Sequence, residues 1–195
     1  MSFLTPAVRG SRSYLRPFWD HLKRLKSWRG GATALPAELL SDLAWWKERL
    51  TPARFKKEAK WCNPATVDIE YMWSDASGTL GAGAWFRRDR YFHRWTEAEL
   101  LHGVPYKELW PIVRILETRG SELRGKILVC CTDSVTNVYA FAAGSSGSPA
   151  SLGLLRRAAA LQEEHDCEVL LLWTPREFNV VTDMISKGTL GGMSF

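Results

Sequence analysis

Four carboxylates in this 195-residue chain sit where an α/β sheet usually places its chemistry. Asp75 closes a run in which Val67, Ile69, Tyr71 and Trp73 alternate with Asp68, Glu70 and Met72, the period-two pattern of a half-buried strand. Asp133 follows Lys126–Cys131, an unbroken apolar run expected of a strand buried on both faces. Glu108 lies in the first turn of a helical pattern from Tyr106 to Arg119, and Asp183 lies in a short helix from Val180 to Lys187. Four acids gathered at one sheet edge repel one another unless cations neutralise them. Hard oxygen ligands at that density suit Mg²⁺, with Mn²⁺ able to substitute. Two such ions clamp the in-line attack of water on a phosphodiester, one activating the water and the other stabilising the leaving oxyanion, so no side-chain nucleophile is required. Spacing alone leaves the alternative open that the four acids are unrelated surface or capping groups, with Glu108 explained by the helix dipole.

The elements that would position these acids emerge from local pattern. Gly78 and Gly81 turn the first strand back into Ala82–Phe86, and Tyr91–Trp95 makes a third antiparallel strand. Thr96–Pro105 reads as a loop. The Tyr106–Arg119 helix carries Leu109, Ile112, Val113 and Leu116 on its apolar face, with Pro111 near enough to its start to distort it without destroying it. After Asp133 come a short helix from Val135 to Ala143, a Gly/Ser loop to Pro149 and a long helix from Ala150 to His165. Glu168–Trp173 is expected as a further central strand, and Gly188–Phe195 as a frayed tail. The order β-β-β-α-β-α-α-β-α makes the fold class α/β.

Composition adds an asymmetry of charge. Residues 1–64 carry 13 Lys/Arg against 5 Asp/Glu, whereas 65–195 carry 13 against 16. A basic helical extension ahead of a slightly acidic domain suggests contact with a polyanion, although basic helices also serve simply to keep a chain soluble. Helices are expected from Tyr14 to about Trp28 and from Pro36 to Leu50, followed by a basic linker from Arg54 to Pro64. In the tandem Trp45-Trp46, core packing of both rings is expected over display of one to a partner. The four cysteines (Cys62, Cys130, Cys131, Cys167) have no metal-type spacing and suit reduced, buried thiols. No apolar run is long enough to span a bilayer, so no membrane association is expected.

Taken as a set, Ser74-Asp-Ala-Ser77, Lys107-Glu-Leu-Trp-Pro-Ile112, Thr132-Asp-Ser134 and Asn179-Val-Val-Thr-Asp-Met-Ile-Ser-Lys187 resemble the ribonuclease H domain of retroelement reverse transcriptases. The pattern is most similar to elements that carry a tyrosine recombinase, the DIRS and Ngaro type. There the glutamate helix reads Lys-Glu-Leu-Leu-Pro-Ile, and a Gly-Ser-Ser…Pro loop like Gly144–Pro149 precedes the long helix. Asp42-Leu-Ala-Trp-Trp46 is similar to the segment joining polymerase to ribonuclease H. The resemblance implies a ribonuclease H-like fold: a five-stranded mixed sheet, three antiparallel strands and then two parallel, flanked by helices. It implies Asp75, Glu108, Asp133 and Asp183 as catalytic metal ligands for two Mg²⁺ ions, and cleavage of the RNA strand of an RNA–DNA hybrid. Ser77, Asn137 and Asn179 are the polar residues expected near the sugars, with turn or cap roles as the alternative.

Two departures from the family pattern matter. Cellular ribonucleases H have a histidine in the loop before the final aspartate, and Trp173–Val181 has none. No Tyr-x-Asp-Asp polymerase signature occurs, so the chain is expected to be either a portion of a larger polyprotein or a stand-alone remnant. The expected organisation is a basic extension over 1–64, the ribonuclease H-like domain over 65–188 and a tail over 189–195. Expected partners are an RNA–DNA hybrid and the polymerase part of a reverse transcriptase, inside the cell, in cytoplasm or nucleus. The rival readings are a domesticated nucleic-acid-binding or protein-interaction module of the same fold, and a transposase or integrase core. The four-acid order argues against the latter.

Overall fold

The computed structural model describes residues 8–25, 34–51 and 68–195, so the linker expected over Arg54–Pro64, together with Cys62, lies outside the described residues. Five strands form one sheet: β1 (Ile69–Ala76), β2 (Gly81–Phe86), β3 (Asp89–Arg94), β4 (Ile127–Thr132) and β5 (Glu168–Trp173). Their order is β3-β2-β1-β4-β5, antiparallel among the first three and parallel from β1 through β4 to β5. This is the ribonuclease H-like mixed sheet that was expected. Glu168–Trp173 is not central, however. β5 is an edge strand, and Leu170, Leu172 and Trp173 are exposed on it.

The helices are α1 (Arg16–Arg24), α2 (Ala37–Arg49), α3 (Glu97–Leu100), α4 (Val104–Arg119), α5 (Val135–Ala143), α6 (Pro149–His165) and α7 (Val180–Ser186). α3 lies inside the stretch read as a loop. Thr96 accepts from the Glu99 amide while the Glu99 carboxylate accepts from the Thr96 amide, a reciprocal cap whose Thr-x-x-Glu signature was available in the sequence. α4 continues through Pro111, and its apolar residues Ile112, Ile115 and Leu116 meet Met72, Phe86, Leu128 and Leu161 in the main core. Cys130, Cys131 and Cys167 are free and buried.

The N-terminal helices are joined to the sheet domain by specific pairs. Asp42, 2% exposed, holds Arg156 of α6 at 2.9 Å, and Arg49 holds Glu163 of α6 at 2.6 Å. Trp46 is buried, while Trp45 stacks on Tyr14 at 3.9 Å between ring centres. Part of the basic charge is therefore consumed internally. The last residues are also docked rather than frayed. Met193 exchanges backbone hydrogen bonds with Arg90 and Phe92 of β3, and Phe195 packs on Tyr91 and Trp110. No described helix is long and apolar enough to cross a membrane.

One glycine decides how α7 meets the sheet. A Cβ on Gly83 of β2 would stand 2.7 Å from the Ser186 nitrogen, 2.8 Å from the Thr182 carbonyl and 2.9 Å from Ile185 Cβ. Two of those atoms are backbone, so α7 can lie this close only because residue 83 has no side chain. Gly83→Ala is expected to destabilise the fold by ~1–3 kcal/mol through overpacking. It should also displace Asp183, so calorimetry would show a lower Tm and divalent-ion affinity would fall with it.

Candidate active site

The register explains why two of the acids meet. β1 and β4 are parallel, with Met72 opposite Cys130 and Trp73 opposite Cys131. Two residues further on, Asp75 and Asp133 leave the same edge side by side. Glu108 comes from α4, which starts at Val104 and so places this residue in its second turn rather than its first. The helix-dipole explanation therefore lapses. Glu108 is 6% exposed and aims its carboxylate at the two aspartates. One oxygen each from Asp75, Glu108 and Asp133 can be chosen so that all three lie within 4.8 Å of one another.

The electrostatics match that crowding. Burial, then the charges of Asp75 and Asp133, push the Glu108 carboxyl up to about 9. Burial likewise raises Asp75 above the ordinary carboxylate range, assisted by Asp133 and Asp183 and opposed by a hydrogen bond from Ser186. Glu108 Oε2 is buried without a hydrogen-bond partner. A buried, unpartnered carboxylate oxygen facing two more acids is costly unless a cation is bound or the group holds a proton. The donor set, all oxygen and all anionic when deprotonated, fits a hard divalent ion.

Asp183 lines the same cavity of about 210 Å³ but is engaged differently. Its carboxylate pairs with Lys187 Nζ at 2.7 Å and with Arg176 Nη2 at 3.2 Å, and these cations, Lys187 foremost, hold its pKa below the usual value. The structure thus brings Asp75, Glu108 and Asp133 together and places Asp183 at the rim, occupied by two basic side chains.

The three residues expected near sugars differ in placement. Ser77 lines the cavity, and its hydroxyl accepts from the Leu80 amide at 3.2 Å, so it also shapes the hairpin turn. Asn137 is 1% exposed and donates to the Pro105 carbonyl, tying α5 to the start of α4. Asn179, 2% exposed, donates to the Ser74 carbonyl at 3.0 Å and accepts from Thr182, fixing the start of α7 against β1. In this conformation neither asparagine presents a group to a substrate. The structural alternative weighed for both is the one the geometry favours.

Several supporting residues were not singled out from sequence. Ser186, fully buried, donates to Asp75 Oδ2 at 2.7 Å and so orients that carboxylate from α7. Lys107, 4% exposed, donates to the Gly78 and Leu100 carbonyls, and Trp95 Nε1 donates to the Ser77 carbonyl at 2.7 Å. Together they hold the turn that forms one wall of the cavity. Lys107 stands inside the recognised Lys-Glu-Leu-Trp-Pro motif, but the Gly78 carbonyl it binds lies 29 residues away in sequence.

Arg176 projects its charge over Asp75 and Glu108 as well as Asp183. With a guanidinium this close, a divalent cation enters against repulsion. Arg176→Gln is expected to tighten Mn²⁺ binding to the free protein by about fivefold at most, since a largely exposed, screened charge contributes no more than ~1 kcal/mol. Titration calorimetry reads this directly, and weaker Mn²⁺ binding in the variant would contradict the placement.

No protein-family model and no curated protein matches the chain. Solved structures do. LC11-RNase H1, isolated from compost by a metagenomic approach and solved in complex with an RNA/DNA hybrid, is 17% identical, with 60% of this chain and 91% of that chain covered at a TM-score of 0.47. The N-terminal RNase H domain of a Mycobacterium tuberculosis protein, solved as a fusion with maltose-binding protein, is 16% identical over 63% of this chain and 95% of that one, at 0.44. A foamy viral protease-reverse transcriptase in complex with double-stranded DNA is 11% identical, covering 89% of this chain but only 30% of that one, at 0.35.

Proposed function

We propose that this protein is a metal-dependent endoribonuclease that hydrolyses the RNA strand of RNA–DNA hybrids, and that it derives from a retroelement reverse transcriptase of the DIRS or Ngaro type. The observation that carries the reading is the convergence of Asp75, Glu108 and Asp133, with Glu108 buried, its Oε2 without a hydrogen-bond partner among the described residues and its carboxyl driven up to about 9. Together with Asp183 these residues would hold two Mg²⁺ ions. When bound, such ions supply an activated water and stabilise the leaving oxyanion of an in-line displacement.

The chain's own residues do the rest. Asp75, steered by Ser186, and Asp133 present oxygens from adjacent strand ends, and Glu108 closes the set from α4. Arg176 and Lys187 place positive charge at the rim, where a phosphodiester must arrive. The described residues lining the cavity include no cysteine or histidine, and the Ser77 hydroxyl serves the turn, so the residues present support direct attack by water. Discrimination for RNA requires contact with a 2′-hydroxyl, and Ser77 is the hydroxyl-bearing candidate at the wall.

A second reading has one specific observation in its favour. Asp183 is paired with Arg176 and Lys187 rather than gathered with the other acids, as a binding module without cleavage would tolerate. End-labelled RNA–DNA hybrid, double-stranded RNA and double-stranded DNA, each incubated with the purified chain and Mg²⁺, separate the two. Shortening of the RNA strand of the hybrid alone supports the enzyme. Cleavage of double-stranded DNA instead would assign the site to another nuclease of this superfold.

A further inference from the structure

Among the described residues, α7 covers the upper end of the sheet face opposite the main core, over β1, β2 and β3. Below it, β1 presents Ile69, Tyr71 and Trp73, flanked by Trp85 on β2 and by Leu170 and Leu172 on β5. These residues share a face because cross-strand partners do: Trp73 is opposite Trp85, and Val129 links Tyr71 to Leu170. The rings are contiguous, Tyr71 to Trp73 at 6.3 Å and Trp73 to Trp85 at 5.7 Å. Ile69, Tyr71, Leu170 and Leu172 are each about half exposed (50%, 48%, 48% and 52%). With Trp85 at 37% and Trp73 partly covered, the six side chains leave roughly 500 Å² of apolar surface, at the upper end for a monomer and most of the ~800 Å² per partner of a standard interface.

We infer that this face binds a second copy of the same chain, sheet against sheet. Charge placement argues for self-association over a nucleic acid or an unrelated protein. Among the described residues, the part of this face from Ile69 to Trp73, Ile127 to Cys131 and Leu170 to Leu172 carries no charged side chain, the nearest on β1 being Asp75 at the acid cluster, so it offers a polyanion nothing. Charges stand instead at two opposite corners. Arg90 of β3 lies beside Trp85, in the row of Trp73 and Leu172. Glu168 of β5 lies beside Ile127, in the row of Ile69. A two-fold axis running along the other diagonal, in the plane between two such faces, lays Arg90 of each copy over the partner's Glu168. The strands then cross near a right angle, one of the two regular ways that sheets pack. The interface is isologous, as a closed dimer requires.

Sedimentation velocity of the full chain over a concentration series tests this, with melting curves to verify folding. The expected result is a monomer–dimer equilibrium that Leu170→Lys weakens at least tenfold. Arg90→Glu and Glu168→Arg should each weaken it, and the double reversal should restore it. A mass of one chain at every concentration, or a dimer indifferent to Leu170→Lys, overturns the inference, and single reversals that the double reversal fails to rescue overturn the diagonal alignment. A monomer that loses hybrid binding on Leu170→Lys assigns the face to nucleic acid instead, which also overturns it.

Discussion

Asp133→Asn is expected to lower RNA-strand cleavage of a hybrid by ~10³-fold or more, about 4 kcal/mol of barrier. The side chain keeps its size, and removing one negative charge from a cluster that already repels itself does not threaten the fold. What is lost is the anionic oxygen that stands beside Asp75 at the shared strand edge. Holding hard divalent ions is the role assigned to that oxygen, and an amide oxygen is a far weaker ligand. Hybrid binding measured in excess chelator should survive, because without metal the substitution only removes negative charge from the path of a polyanion. Single-turnover rates alongside fluorescence anisotropy separate the two quantities. A fall of less than tenfold, with binding intact, would remove Asp133 from the chemistry.

The second large effect concerns stability without metal. The folded-state pKa of Glu108, about 9, lies far above the ordinary value of 4.5. A carboxyl raised in this way favours the folded state fully below the unfolded pKa, and that contribution is lost as pH rises through the folded one. The metal-free protein should therefore lose a few kcal/mol between about pH 5 and pH 9 from this group. Glu70 acts in the opposite direction. Hydrogen bonds from Arg87 and then Lys126 hold it down at about 2, so its stabilisation is present above pH 4.5 and is lost as acid protonates it. Maximum metal-free stability is expected at about pH 5 to 6, between the two windows. Glu108→Gln should raise Tm by roughly 5–10 °C at pH 8 and hardly at all at pH 5. Mg²⁺ should stabilise the wild type more at pH 8 than at pH 6, because its binding must displace the proton. Differential scanning calorimetry at two pH values, with and without Mg²⁺, reads all of this. A Glu108→Gln variant less stable than wild type at pH 8 would show the glutamate to be structural.

The legible parts of the molecule are those whose signal is local. Period-two alternation ending at Asp75, the apolar run ending at Asp133 and the 3.6-residue periodicity around Glu108 each lie within a dozen residues, and these three acids meet. The Val135–Ala143 helix and the Glu168–Trp173 strand were readable to the residue. Strand order was not. Whether β5 is central or at the edge depends on whether another strand pairs with its outer side, and its apolar run reflects an exposed second face rather than burial on both sides. Pairs distant in the chain were equally hidden: Ser186 with Asp75, Asn179 with Ser74, Asp42 with Arg156. α3 is different, because its capping box is a local signal that the surrounding polar residues masked. The docked tail depends on Phe195 finding Trp110 and Tyr91, which no short window contains.

Whether these acids serve hydrolysis of a hybrid is read from one gel. RNA-labelled hybrid is incubated with the purified chain in Mg²⁺, in Mn²⁺ and in excess chelator. The expected result is internal cuts in the RNA strand with either ion, none with chelator, and an intact DNA strand throughout. Hybrid that is bound yet uncut in both metals would contradict hydrolysis and leave a binding module whose buried acids serve another purpose.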